Sequence, residues 1–312
     1  MKNKLKRETY FKPYIHPRLQ KFFDDEIDVI NKLFKMLKKH KKNIVDSFYF
    51  SEKYPKPHPK CKYTDKLYIG CIYFIFKHGS FWESFLGPIP GKQVNKRHHE
   101  YIDRYHLYEN FFYQERDDYL MNYVNEHNQI KNLMIDTSII NNKNCSEVYK
   151  HLPYNKNRKG CKIGLIIEDN RLPLVVSINE STVHDCKIGN QDIDTLINNE
   201  KFNEALEKLD TEPFALADSA YDSAELKDKL SNANIKHIIK PNNRGKKYKR
   251  KKKIWKRHKP RYKKRTKVEY SFANIKRSPK INCIYERKIK AYFGGLFVLL
   301  GALFIKYKIN NS

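Results

Sequence analysis

The chain has 312 residues, with 63 Lys and Arg against 35 Asp and Glu, which gives a formal net charge of +28 at pH 7. This length allows a catalytic domain and a smaller one, and the excess of positive charge predicts a polyanionic partner such as nucleic acid. The six cysteines form no Cys-x2-Cys pair, which argues against a zinc site and favours a reduced, intracellular setting.

Residues 1–60 are predicted to form a polar, partly helical extension that ends in a linker. The first residues, MKNKLKRETYFK, lack the apolar core of a signal peptide. Further along, Ile27, Ile30, Phe34 and Leu37 recur at helical spacing, so DDEIDVINKLFKMLKKH predicts an amphipathic helix. The three prolines of KYPKPHPK predict the linker.

Residues 61–128 are predicted to form a helical domain. The apolar run LYIGCIYFIFKH predicts a helix that ends at Gly79, and basic helices follow a turn rich in Gly and Pro. This order is compatible with a helix-turn-helix unit that reads DNA, and a plain helical bundle fits it equally well. His98 and His99 show no metal-ligand spacing and are assigned to a basic, solvent-facing helix surface.

Residues 129–308 are predicted to form an α/β catalytic domain. The runs LMIDTSII, CKIGLIIED and LPLVVSINE predict three strands in an antiparallel meander, after which helices alternate with two more strands. The order β-β-β-α-β-α-β-α predicts a mixed sheet with helices on both faces and matches the ribonuclease H-like fold. The apolar run 291–305 is short for a membrane span, so we expect a buried helix and no membrane partner.

Three acidic residues stand out by their placement. Asp136 lies inside an apolar strand, where an unpaired carboxylate is costly, Asp218 ends the strand FALAD, and Glu269 lies in the segment 261–276. The first and fourth strands are neighbours in this fold, so Asp136 and Asp218 can lie side by side. Clustered carboxylates need a cation, and oxygen ligands favour a pair of Mg²⁺ or Mn²⁺ ions, which catalyse phosphodiester chemistry. The alternative is that each acid is a strand-end or surface residue.

The segment RYKKRTKVEYSFANIK places four polar side chains on one helix face. Tyr262, Arg265, Glu269 and Lys276 lie at offsets 0, 3, 7 and 14, which on a helix fall within roughly 60° of one another. A surface helix with an ordinary Glu–Arg pair would show the same spacing.

Residues 242–267 are predicted to form a basic loop that grips DNA. Between Arg244 and Lys267, 16 of 24 positions are Lys or Arg and none is acidic. Aromatic side chains among them favour phosphate contact together with base stacking, and a disordered loop with only non-specific affinity is the alternative. The predicted contacts in this loop are Arg244, Lys246, Lys247, Lys249, Arg250, Lys251, Lys252, Lys253 and Trp255.

From about residue 65 to 305 the chain resembles the DDE transposases of bacterial insertion sequences, specifically insertion-sequence families four and five. Their Tyr-x2-Arg-x3-Glu-x6-Lys signature is intact in the segment 261–276, and GSFWESF is similar to their Gly-x-x-Trp segment. LMIDTSII and ADSAYD are similar to the two aspartate blocks of these families. NRKGCKIGLIIEDNRLPLVVSINESTVHD is similar to their block of two strands that ends in His-Asp.

The resemblance implies a ribonuclease H-like domain that performs cut-and-paste transposition. Asp136, Asp218 and Glu269 would be catalytic and would hold two Mg²⁺ or Mn²⁺ ions. Terminal inverted repeats and target DNA would be the partners, bound by a homodimer.

The same resemblance assigns the other residues of the signature to DNA. Arg265 and Lys276 would bind phosphates near the cut, and Tyr262 would orient the DNA or position the helix. Asp185, in the His-Asp pair, is either an accessory residue of the site or a helix N-cap.

Two other functions fit the same residues. One is a domesticated, catalytically silent DNA-binding protein, and the other is a structure-specific nuclease of the same fold. We expect the protein in the cytoplasm or nucleoid of a prokaryote. In a eukaryotic host we expect it in the nucleus, where the basic loop could act as a localisation signal.

Overall fold

A computed structural model describes residues 10–11, 16–41, 50–51, 63–147, 150–152, 155–241, 255 and 257–311 of the chain. These residues belong to two compact units. The first unit comprises Met1–Phe112, Ser278–Ile281 and Lys290–Ser312, and the second comprises Tyr113–Arg277 and Asn282–Ile289.

The first unit is built mainly from helices. The short strands β1 (Tyr10–Phe11) and β2 (Phe50–Ser51) pair antiparallel. The helix α3 ends where sequence predicts, because Gly79 adopts a left-handed φ of 74° that a side chain would disfavour. The helices of this unit are α1 (Pro17–Asp25), α2 (Ile27–His40), α3 (Asp65–His78), α4 (Gly91–Asp103), the start of α5 (Leu107–His127), part of α10 (Pro279–Asn282) and α11 (Ile289–Asn311).

The apolar helix α11 packs into the first unit, whereas the sequence places it in a catalytic domain of residues 129–308. The rings of Phe112 and Phe297 lie 5.3 Å apart, and a side chain at Gly301 would collide with Phe111. By length and composition alone α11 could cross a membrane, and 67% of its most apolar window is buried inside the structure. A buried core helix meets the same criteria, so this composition does not identify a membrane span.

Buried polar side chains also hold this unit together. The carboxylate of Glu26 accepts hydrogen bonds from Tyr73 Oη at 2.6 Å and from Lys306 Nζ at 2.6 Å, and it also pairs with Lys77. His98 is fully buried, with Nε2 3.0 Å from the carbonyl oxygen of Ala291, so the prediction of a solvent-facing His98 is wrong. Burial lowers the pKa of His98 to about 3, so the imidazole is neutral at pH 7.

The second unit is an α/β structure around a seven-stranded mixed sheet. The three predicted strands form an antiparallel meander, β7 and β8 add to it in parallel, and α6 packs on the sheet, as predicted. The short β4, β9 and α7 were not predicted. The elements are β3 (Asn132–Asn142), β4 (Lys150–Leu152), β5 (Asn155–Ile167), β6 (Pro173–Glu180), α6 (Asp185–Ile197), α7 (Glu200–Glu207), β7 (Phe214–Ala217), α8 (Ala224–Asn232), β8 (Lys236–Ile239), α9 (Thr266–Ile275) and β9 (Cys283–Ile284).

Candidate active site

Two adjacent parallel strands bring Asp136 and Asp218 together. Met134 of β3 pairs with Leu216 of β7, two residues before Asp136 and Asp218, and the carboxylates are close enough for the charge of Asp218 to raise the pKa of Asp136. The Asp218 carboxylate accepts a hydrogen bond from the backbone N–H of Ala220 at 2.7 Å, which fixes it at the start of a short 3₁₀ turn. Both carboxylates are therefore held by backbone geometry.

Arg265 joins Asp136 to the third acid. Its Nη1 lies 2.8 Å from Asp136 Oδ2, and its Nη2 lies 2.5 Å from Glu269 Oε1. The other Asp136 oxygen accepts a hydrogen bond from the N–H of Thr137 at 2.9 Å. Burial raises the pKa of Asp136 to about 6, with a further contribution from the charge of Asp218, while Arg265 opposes the shift.

The signature segment is not one regular helix. Residues 257–262 are helical, Lys263–Arg265 form a 3₁₀ turn, and α9 continues to Ile275. The 3₁₀ turn interrupts the single helix face on which the four polar side chains were predicted to lie. Arg265 and Glu269 nevertheless remain one helical turn apart and form the ion pair that their spacing predicts.

Tyr262 lies beside the carboxylates and is half-buried. Its ring lies 5.6 Å from the ring of Trp255 in an edge-to-face arrangement, and the Arg265 guanidinium carbon lies 6.0 Å from its centroid. Burial raises the pKa of Tyr262, so the phenol is neutral at pH 7. The predicted DNA contacts from Arg244 to Lys253 lie outside the described residues.

Lys276 is held against β3. Its Nζ donates hydrogen bonds to Ser138 Oγ at 2.6 Å and to the carbonyl oxygen of Ile139 at 2.8 Å. Burial lowers the pKa of this ammonium group. In this structure Lys276 fastens the end of α9 to the strand that contains Asp136.

The helix α6 begins at Asp185, and the N-cap of this helix is His184. The interpretation of Asp185 as the N-cap is therefore wrong. Its Oδ1 accepts hydrogen bonds from Thr137 Oγ1 and Lys162 Nζ, each at 2.8 Å. Lys162 also donates to the carbonyl oxygen of Val183 at 2.7 Å. The contact with Thr137 supports β3 one residue beyond Asp136, and local sequence gave no signal for it because its partners are distant along the chain.

The donor chemistry of the three acids suits Mg²⁺ or Mn²⁺, because every ligand would be a carboxylate oxygen. Among the residues that the structure describes, no group of three or more His, Cys, Asp or Glu side chains is close enough to hold a metal. The guanidinium of Arg265 explains this arrangement, since it neutralises Asp136 and Glu269 from a position between them. Asp136 and Asp218 offer oxygen donors of the kind that these ions prefer, and Glu269 would join them only after exchanging its partner Arg265.

Comparison with known proteins agrees with this geometry. Residues 133–302, more than half of the chain, match the family model described as the transposase DDE domain. Searches of curated proteins and of solved structures return no match. The matched segment includes Asp136, Asp218 and Glu269 together with the mixed sheet that positions the two aspartates. The chain therefore belongs to the family of DDE-domain transposases.

Proposed function

We propose that this transposase cleaves DNA at the ends of a mobile element and joins the freed 3′ end to target DNA by a metal-dependent, cut-and-paste reaction. The observation that supports it most is the register of β3 and β7, which brings Asp136 and Asp218 together, with Glu269 linked to them through Arg265. Neighbouring acids in a chain with a net charge of +28 fit chemistry on a bound polyanion.

In this proposal Asp136, Asp218 and Glu269 would hold two Mg²⁺ or Mn²⁺ ions. When bound, such ions activate the attacking water or 3′ hydroxyl and stabilise the leaving oxygen of an in-line displacement. The chain itself orients the ligands, because Asp136 is fixed by the N–H of Thr137 and Asp218 by the N–H of Ala220.

The cationic residues have separate roles in the proposal. Arg265 has a planar guanidinium that can bind a phosphate through two hydrogen bonds, and it already lies beside the reacting acids. Lys276 keeps α9 against β3, so that Glu269 stays near Asp136. Asp185 is an accessory residue that supports Thr137.

The partners in this proposal are terminal inverted repeats and target DNA, bound by a homodimer. The buried packing of α11 favours a role away from the membrane. We infer a cytoplasmic or nucleoid location in a prokaryotic host and a nuclear one in a eukaryotic host.

Replacement of Asp218 tests the proposed chemistry. With DNA from the ends of the element as substrate, Asp218→Asn should reduce Mg²⁺-dependent nicking by more than the ~10–100-fold typical of losing an outer-shell partner, because it removes a ligand. DNA binding measured in Ca²⁺ should stay close to that of the unmodified protein, since no phosphate contact is lost.

Asp228→Asn is the matched control, because Asp228 is an exposed acid on α8 of the same unit, and it should nick normally. Normal nicking by Asp218→Asn would rule out the assignment. A protein that binds these ends without nicking them would instead be the silent DNA-binding alternative. Preferential cleavage of an RNA–DNA hybrid or a branched DNA would identify a nuclease of the same fold.

A further inference from the structure

An exposed aromatic ring lies next to Glu269 in sequence. Tyr270 keeps 61% of its surface exposed, although the guanidinium carbon of Arg171 lies 5.3 Å from its ring centroid. Among the described residues the other exposed large apolar side chains are Phe81, Leu86 and Ile309, and all three belong to the first unit. Tyr270 is thus the one large apolar side chain that the described part of the second unit exposes.

The turn that presents Arg171 is held in an unfavourable backbone conformation. Arg171 has a φ of 67°, in the left-handed region that residues with side chains rarely adopt. The buried carboxylate of Glu168 maintains this turn, because it accepts hydrogen bonds from the N–H groups of Asn170 at 2.8 Å and Leu172 at 3.1 Å. The backbone of the turn that carries Arg171 is therefore fixed by the fold.

The same turn is fastened to α9 on both sides of Tyr270. Lys267 Nζ donates a hydrogen bond to the carbonyl oxygen of Asp169 at 2.7 Å, and Ser271 Oγ donates to the carbonyl oxygen of Arg171 at 3.3 Å. These contacts hold the backbone of the turn next to the helix, at a position from which the Arg171 guanidinium reaches the Tyr270 ring.

We propose that Tyr270 and Arg171 form a stacking platform for an unpaired nucleobase of the DNA that reaches Glu269. Every base has an aromatic face that stacks on an exposed ring, and proteins that hold unpaired strands combine such rings with positive charge. The guanidinium adds a positive charge next to the ring, which suits the adjoining phosphate. This inference rests on the proposed function, because it places DNA at Glu269.

A forked DNA duplex with 2-aminopurine at its first unpaired position provides the test. In Ca²⁺, binding to the full chain should quench the probe, because stacking on Tyr270 replaces contact with solvent. Tyr270→Ala should abolish the quenching and weaken binding to the fork by ~10-fold or more. Binding to the fully paired duplex should change by less than ~2-fold. Tyr270→Phe should behave as the unmodified protein, because it keeps the ring.

Phe81→Ala is the matched control, because it removes an exposed aromatic side chain from the first unit, and it should not change the preference for the fork. Tyr270→Gln, which keeps a longer side chain without a ring and is also a good helix former, replaces Tyr270→Ala if circular dichroism shows that Ala disturbs folding. Unchanged quenching and fork preference in these variants would overturn the inference. An equal loss in Tyr270→Phe would overturn it too, since the hydroxyl and not stacking would then matter.

The two proposals fail in different assays. If the unmodified protein nicks element ends and the Tyr270 variants bind the fork normally, only the stacking platform is wrong. If Asp218→Asn nicks normally while Tyr270→Ala loses the fork, the platform stands and the assigned chemistry falls.

Discussion

At the scale of single residues, Arg265 occupies a position where a metal ion would be expected. Its guanidinium pairs with both Asp136 and Glu269 and is itself largely buried, with 16% of the side chain exposed. In the proposed mechanism a divalent cation and this guanidinium would compete for the same negative charges. The guanidinium released from the carboxylates would then be available to a DNA phosphate.

Arg265→Gln should therefore increase the affinity of the DNA-free protein for Mn²⁺, as measured by isothermal titration calorimetry, by ~10-fold. The estimate assumes that about 1.4 kcal/mol of competition is removed, at the upper end of the net contribution of a typical hydrogen bond. Arg277→Gln, an exposed cation beyond α9, should leave the affinity unchanged. A lower Mn²⁺ affinity in Arg265→Gln would mean that the guanidinium orients the ligands instead of competing for them.

Asp192 is a buried acid away from the proposed site, and it makes stability depend on pH. It is 1% exposed, its Oδ2 has no hydrogen-bond partner, and burial raises its pKa to about 7. The folded state therefore holds this proton more tightly than the unfolded chain does. The contribution of Asp192 therefore lowers the free energy of unfolding as pH rises from about 4 to 7. Above pH 7 this contribution stays constant.

Asp192→Asn should remove this contribution while preserving the shape of the side chain. Relative to the unmodified protein, the variant should gain ~2–4 kcal/mol in free energy of unfolding at pH 8, and much less at pH 4. Urea unfolding at both pH values measures the difference. An equal effect at the two pH values would show that packing, and not ionisation, determines it.

At the scale of elements, the attachment of α9 to β3 depends on Lys276. Lys276→Gln should lower the free energy of unfolding by ~1–3 kcal/mol, because the strand loses a charged donor to Ser138 and Ile139. It should leave the salt dependence of DNA binding unchanged. Lys264 is exposed, so Lys264→Gln should leave the free energy of unfolding nearly unchanged. It should reduce the slope of log affinity against log salt by about 0.9 if Lys264 contacts a phosphate. A reduced salt slope in Lys276→Gln would instead support the phosphate contact that the resemblance implies for Lys276.

Elements whose determinants are local were predictable from the sequence. Gly79 ends α3 through its own left-handed φ, and the short apolar runs of β3, β5 and β6, rich in Ile, Leu and Val, predict the strands of the meander. Features that depend on contacts between residues far apart in the chain were not predictable from the sequence. The sequence around His98 resembles a basic surface, because the carbonyl oxygen of Ala291 that replaces water lies far along the chain. The partners of Asp185 were hidden for the same reason.

At the scale of the whole molecule, positive charge is concentrated in a short run. Seven of the eight residues from Lys246 to Lys253 are Lys or Arg. Changing these seven to Gln should reduce the salt slope of DNA binding by up to about 6, since each phosphate contact contributes about 0.9. Affinity should fall equally for element ends and for unrelated DNA, because phosphate contacts do not read sequence.

Filter binding across a salt series measures both effects, and nicking should persist at low salt. If the variant lost discrimination between sequences while keeping its salt slope, the run would read bases. The division between a gripping loop and recognition by the helices before residue 128 would then be wrong.

The first unit combines segments from both ends of the chain, so it can complete its fold only after residues 290–311 have been synthesised. Its helices from α1 to α4 are synthesised first, yet α11, whose Gly295 lies against Phe76 of α3 and whose Lys306 pairs with Glu26, is synthesised only after the whole second unit. The second unit can therefore form its sheet while the apolar faces of the helices α1 to α4 are still exposed. A premature stop shortly before Ile289 would leave the candidate active site encoded in full and the first unit without its last helix. Such a product would be a target for chaperones and proteases, so loss of this helix would lower the amount of transposase without altering any residue of the candidate site.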